Sequence, residues 1–256
     1  MTLLRALAAL LLSFAAVGAA PAAPATLTIG AAPSLGPAVT ALNAAYAREH
    51  PDQAFAVTVA TTPALTATAQ AGNGAQLLLL DSREAADALV TAKRAVAGSA
   101  RVFGSGLLAI YSNTPGINTG RGAPLFIADY INGIALGDPA NSPFGALARG
   151  AMDRLTLLES AEPKFKLFPD DAAAAAAVRA GQVDIGVVPV TLVVTSDTRK
   201  AGSSTALPPG LYTPAAYTAV ITEAGRGSDA ALAYLAFLMA DSTAPLLREL
   251  GIAPPP

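Results

Sequence analysis

The side chains best suited to chemistry in this chain gather where a strand pattern gives way to a helix pattern. Ser34 lies between the β run Thr26–Gly30 and a helical stretch from Gly36 to His50. Thr61 and Thr62 follow a second strand and precede Pro63. Asn141, Ser142 and Phe144 open another helix, and Asp170 and Asp171 head an Ala-rich one. In an open parallel sheet such joints lie at the carboxyl ends of the strands, where ligands bind. The first N–H groups of a helix lack intrahelical partners and carry partial positive charge. A joint of this kind therefore binds an anion without Lys or Arg. Ser and Thr hydroxyls add donors, but the same residues also serve as plain N-caps. Residue types alone leave both roles open.

Other chemistries are excluded more firmly. The chain has no Cys, which removes disulfides, thiolate metal sites, Cys nucleophiles and a lipid-anchored Cys. It has one His, so a Ser-His-acid triad would have to run through His50, and no His-rich metal site exists. His50 closes a helix before Pro51, where a helix C-terminus favours a cationic ring, so a structural role is expected. Asp170 and Asp171 are adjacent carboxylates with no second partner aimed at one bond, and capping is expected of them. Gly104-Ser105-Gly106 and Gly225-Arg226-Gly227 lack the dinucleotide-binding spacing and are expected in turns. The net charge of −2 offers no footprint for nucleic acid, and with no Trp and 5% aromatics stacking platforms are thin. The expectation is a protein with no enzymatic activity, no metal and no cofactor.

The elements that position these joints can be read in order. Met1–Arg5 is a short positive start, Ala6–Val17 an apolar run of about 12 residues, and Gly18-Ala19-Ala20 and Ala20-Pro21-Ala22 offer small-residue cleavage sites, with an uncleaved N-terminal anchor as the alternative. Residues 1–25 are expected to be a signal peptide and the mature protein to be periplasmic. Beyond them, strand and helix patterns alternate as βαβαβα, which argues for parallel sheets with right-handed crossovers. Leu77–Leu80 is a continuous apolar run, as in a strand covered on both faces. Asp81 or Ser82 is expected to cap the helix that follows, with Glu84 in support. A strand is expected over Gly106–Ser112, a turn-rich loop over 113–122, and then a second α/β series. The expected lobes are 26–105 with 222–256, and 106–221.

Several stretches carry a resemblance. Ala31-Ala32-Pro33-Ser34-Leu35, Glu49-His50-Pro51, Ala60-Thr61-Thr62-Pro63-Ala64-Leu65, Ala135-Leu136-Gly137-Asp138-Pro139-Ala140, Ala180–Val188 and Leu207-Pro208-Pro209-Gly210-Leu211 appear in that order. Together they resemble the substrate-binding proteins of molybdate-type ABC transporters, over nearly all of 26–252. Leu136–Ala140 is the most specific piece. The resemblance implies a type II periplasmic-binding-protein fold: two α/β lobes, each a mainly parallel sheet flanked by helices, closing on a ligand. It implies capture of a small tetrahedral oxyanion, molybdate or tungstate, by a monomer that delivers it to an ABC permease in the inner membrane. The oxyanion donors it implies are Ser34 and Thr62, with Thr61 beside them, from the first lobe. From the second lobe it implies backbone N–H groups at Phe144 and Asp171.

This chain departs from that pattern at two places. Asp171 stands where the family has an apolar residue. A carboxylate about 4 Å from a bound anion would cost roughly 4 kcal/mol per unit charge at an effective dielectric of 20. Asp171 is accordingly expected to turn away and cap its own helix. Pro189 stands where the family has a Tyr hydroxyl, and Pro offers neither a side-chain donor nor an N–H. These departures keep open a different small ligand, or a sensory or scaffold lobe pair. A secreted hydrolase is the remaining alternative.

Overall fold

The computed structural model describes residues 26–194 and 202–255; the expected signal segment lies outside the described residues. The first lobe is built from β1 (Leu27–Ala31), α1 (Gly36–Glu49), β2 (Phe55–Val59), α2 (Thr62–Gln70), β3 (Leu77–Leu80), α3 (Arg83–Thr91) and β4 (Arg101–Gly106). The second contains β5 (Leu108–Ser112), β6 (Ile134–Gly137), α4 (Pro143–Arg154), α5 (Leu158–Ala161), β7 (Phe165–Phe168), α6 (Asp171–Arg179), β8 (Ile185–Pro189) and β9 (Ser203–Ala206). The chain then returns to the first lobe with β10 (Ala215–Ile221), α7 (Asp229–Met239), α8 (Ala244–Glu249) and β11 (Ile252–Ala253).

The six strands of the first sheet run in the order β11-β4-β10-β3-β1-β2, and the five of the second in the order β7-β6-β8-β5-β9. Each sheet has a parallel half and an antiparallel half. β1 pairs in parallel with β2 and β3, and β6 with β7 and β8. The antiparallel strands β4, β10, β5 and β9 are those next to the crossings between lobes. The sheets are thus mixed rather than mainly parallel, because a strand entering from the other lobe has no helical crossover to turn it around.

Two boundaries differ from the sequence reading. β10, expected in the second lobe, pairs with β3 and β4 of the first sheet, so the return crossing falls within 207–214 instead of at 221. The expected strand over Gly106–Ser112 is the end of one strand and the whole of the next, with Leu107 as the link between sheets. Gly104 and Gly106, expected in a turn, lie inside β4. Gly106 packs against the rings of Phe144 and Tyr217, where a side chain would not fit.

Leu77, Leu78, Leu79 and Leu80 are all buried, as their unbroken apolar run requires, at roughly 1.5–3 kcal/mol of transfer free energy per side chain. They hold β3 at the centre of its sheet, so that its carboxyl end projects Asp81 at a fixed place. The Ala-rich stretch after Asp171 forms α6, whose Ala174, Ala175, Ala177 and Val178 are buried. Small side chains let this helix lie close to β6 and β8, which sets Asp171 against the end of β6.

Candidate functional site

In the first lobe the hydroxyls of two joints converge on one carboxylate. Ser34 Oγ donates to Asp81 Oδ2 at 3.1 Å, and Thr62 Oγ1 donates to Asp81 Oδ1 at 2.7 Å. Neither hydroxyl caps its helix: the turn at Pro33–Leu35 and α2 have no side-chain cap bond. Capping of α3 falls to Ser82, whose Oγ accepts from the Ala85 N–H at 3.1 Å and donates to Glu84 at 2.9 Å. Asp81 is thereby free to turn inward, where it is 3% exposed. Burial raises its pKa, and the Thr62 and Ser34 hydroxyls draw it back in part.

The second lobe repeats the arrangement with a different balance. Asp138 Oδ1 accepts from the Ala140 N–H, and the Asp138 carbonyl accepts from the Asn141 and Ser142 N–H groups, which shapes the turn out of β6. Ser142 caps α4 by accepting from the Gly145 N–H at 3.2 Å and donates to Asp171 Oδ2 at 2.5 Å. The approach of helix to strand needs glycine twice. A Cβ on Gly145 would lie 1.9 Å from the Gly137 carbonyl oxygen, and one on Gly137 would lie 2.4 Å from Asp171 Oδ1. The specific Leu136–Ala140 segment therefore has a physical role: it makes room for a buried carboxylate and hydroxyl beside a helix N-terminus.

Asp171 does not cap its helix. Asp170 does, accepting from the Ala173 N–H at 2.8 Å. Asp170 thus satisfies the helix end, and the next residue, in the first turn, is directed into the interior at 2% exposure. Its Oδ1 has no hydrogen-bond partner. Burial raises its pKa to about 7; the Ser142 hydroxyl opposes this, and the charges of Asp81 and Asp170 add to it.

The two halves meet across a cleft of about 410 Å³, walled by Thr62, Asp81 and Ser82 on one side and Pro139, Asn141 and Ser142 on the other. Beneath it Thr191, which follows β8, donates to the Ser34 carbonyl at 2.6 Å and lies 3.3 Å from the Tyr217 hydroxyl. This contact joins the lobes behind the carboxylates. Tyr217 is fully buried, interacts with Ser34, and feels both Asp81 and Asp171, so its phenol is held protonated. A tyrosine hydroxyl thus reaches the site from β10 of the first lobe, although Pro189 ends β8 without one.

The remaining expected residues are placed as follows. Thr61 precedes α2, half-buried, and its carbonyl accepts from the Leu65 N–H at 2.9 Å. Phe144 stands in the first turn of α4 with its ring fully buried and tilted against Tyr217 at 5.9 Å. His50 is exposed at the end of α1 and stacks on Tyr46 at 4.1 Å, away from the cleft walls. Asp81, Thr191 and Tyr217 were not anticipated. Ser82, a cap as good as Asp81 at the next position, was the one signal that could have released Asp81 for another role.

No group of three or more His, Cys, Asp or Glu arranged for a metal ion occurs among the described residues. No Lys or Arg contributes to the shifts of Asp81 or Asp171. Chemically, the site sets the hydroxyls of Ser34, Thr62 and Ser142 on two buried carboxylates beside helix N-termini.

Comparison with known proteins agrees with this architecture. A family model described as bacterial extracellular solute-binding protein matches residues 27–253. The molybdate-binding protein ModA of Rhodobacter capsulatus is 31% identical over 157 residues, which span 61% of this chain and 60% of that protein. ModA of Azotobacter vinelandii is 28% identical over 156 residues, 61% of this chain and 62% of the relative. These sequence matches thus span about three-fifths of each relative's length. The solved periplasmic molybdate-binding protein of Azotobacter vinelandii superposes with a TM-score of 0.81 at 19% identity, covering 90% of this chain and 100% of that one. The fold is that of a two-lobed periplasmic binding protein, and the chain belongs to the bacterial extracellular solute-binding protein family.

Proposed function

We propose that this protein captures a small tetrahedral oxyanion between its lobes in the periplasm and delivers it to an ABC permease. Molybdate and tungstate are the first candidates. One observation carries the reading: strand-to-helix joints of both lobes border one cleft, with Thr62 and Ser142 in its walls and the buried Ser34 tied to that wall through Asp81. Such joints bind anions through helix N-termini and hydroxyls, and lobe closure removes the ion from water. The first-turn N–H of Phe144 supplies a donor from α4, and Thr61 lies at the matching end of α2. The molybdate-binding relatives support the ligand class. Binding proceeds without covalent chemistry and by a monomer.

Selectivity in this reading comes from cavity size and donor count. An ion of the wrong radius leaves a buried donor unpaired, at about 1–3 kcal/mol each. The test is calorimetry of the folded protein at pH 6 with molybdate, tungstate, sulfate and phosphate. Saturable binding of one ion per chain is expected for at least one of them. Flat titrations with all four would overturn the reading.

A further inference from the structure

The inference here rests on the oxyanion reading and concerns the form of the ligand that the cleft accepts. Three hydroxyls that could serve an oxyanion already serve carboxylates: Ser34 and Thr62 donate to Asp81, and Ser142 donates to Asp171. A hydroxyl has one proton to give. A fully ionised oxyanion entering this space would meet Asp81 in the wall, Asp171 buried against the wall residue Ser142, and hydroxyls turned away from it. Asp171 moreover keeps one carboxylate oxygen buried and unpartnered, a position that calls for a proton or a donor.

We propose that the cleft takes its oxyanion together with a proton, shared between a ligand oxygen and the Asp171–Asp81 pair. Oxyanions of the phosphate class, which bring their own O–H, are then preferred over those of the sulfate class, which bring none. The balance is one proton. Either the ligand donates its O–H to a carboxylate oxygen, or a carboxyl that has taken a proton from solvent donates to the ligand. In the second case the neutral carboxyl also releases its hydroxyl partners to turn toward the anion.

No cationic side chain is among the groups that act on the pair. Asp171 is faced by Ser142 from the α4 joint, by Asp170 on its own helix and by Asp81. The strands against α6 bring Tyr111, whose buried hydroxyl has no partner, and Lys166, which is exposed. Arg179, at the far end of α6, is spent on the Leu192 carbonyl. Asp81 is faced by Ser34 and Thr62, and the Arg83 that follows it is exposed and paired with Asp87. Tyr217 faces both carboxylates and stays protonated. Burial already brings the proton affinity of Asp171 near neutrality, so uptake is within reach at working pH.

The test is calorimetry with inorganic sulfate and inorganic phosphate at pH 6 and pH 8, each in two buffers of different ionisation heat. Sulfate affinity should fall at least tenfold between pH 6 and pH 8, with about one proton taken up per ion bound at pH 8. Phosphate should lose less and exceed sulfate at least tenfold at pH 8. Asp171→Asn and Asp81→Asn should each reduce the pH dependence for sulfate, and the wild-type proton count stands even if one variant fails to fold. Sulfate bound equally at both pH values without proton uptake would overturn this inference and leave the oxyanion reading intact. Absence of binding by sulfate, phosphate and molybdate at both pH values would overturn the oxyanion reading, and this inference with it.

Discussion

Asp81 and Asp171 occupy equivalent stations in the two lobes, each buried at a strand-to-helix joint, yet they are not equivalently satisfied. Asp81 receives two hydroxyl donors, one on each oxygen. Asp171 receives one, and its other oxygen has none. The neighbour preceding Asp171 is a second carboxylate, whereas the neighbour following Asp81 is a serine. The same burial is therefore met unequally: two hydroxyls draw the raised pKa of Asp81 back in part, whereas Asp171, with one hydroxyl and two nearby carboxylates, is raised to about 7. What a buried acid does depends on the donors that reach it as much as on its depth.

The largest expected effect follows from that contrast. Asp171 binds its proton up to about pH 7 in the folded chain and only to about 3.8 when unfolded. The folded state therefore holds the extra proton between those values. The stabilisation is complete below the unfolded pKa and is lost as pH rises through the folded one. Unfolding free energy should drop by about 3 kcal/mol from pH 5 to pH 8 through this group. Denaturant titrations at the two pH values measure it. Asp171→Asn should flatten the curve and stabilise the protein at pH 8; an equally steep curve in that variant would remove the distinction between the two acids.

A smaller effect is expected from the scaffold that seats Asp171. Gly145→Ala places a Cβ against the Gly137 carbonyl and should cost about 2 kcal/mol, seen as a lowered melting temperature. The smallest effects come from the donors of Asp81. Thr62→Val should cost about 1 kcal/mol and Ser34→Ala less, given the longer bond from Ser34. Each should also raise the pKa of Asp81, because each hydroxyl now lowers it. Carbon-13 NMR of the carboxyl groups would follow this shift, and an unmoved Asp81 would mean the hydroxyls do not set its ionisation.

The alternation of strands and helices was legible because period and capping signals are local. The crossings were less so. Gly104-Ser105-Gly106 reads as a turn until Ile252, Phe144 and Tyr217 are brought against it, and β10 joins the first sheet through partners far away in the chain. The same holds for the site. The joints at Ser34, Thr62, Ser142 and Asp171 could be named from sequence, but the partners of their side chains could not. Ser34 and Asp81 are 47 residues apart, Thr62 and Asp81 19, and Ser142 and Asp171 29. At the α3 and α6 ends two neighbouring residues could each cap; Ser82 and Asp170 took that role and left Asp81 and Asp171 to the interior.

The central claim is one of place: an anion sits between the Thr62–Asp81 wall and the Asn141–Ser142 wall. Diffraction at the tungsten absorption edge, from crystals grown with tungstate at pH 6, tests it most directly. A single strong anomalous peak within hydrogen-bonding reach of Thr62 and Ser142 is the predicted result. A peak elsewhere on the protein, with this cleft holding only water, would contradict it.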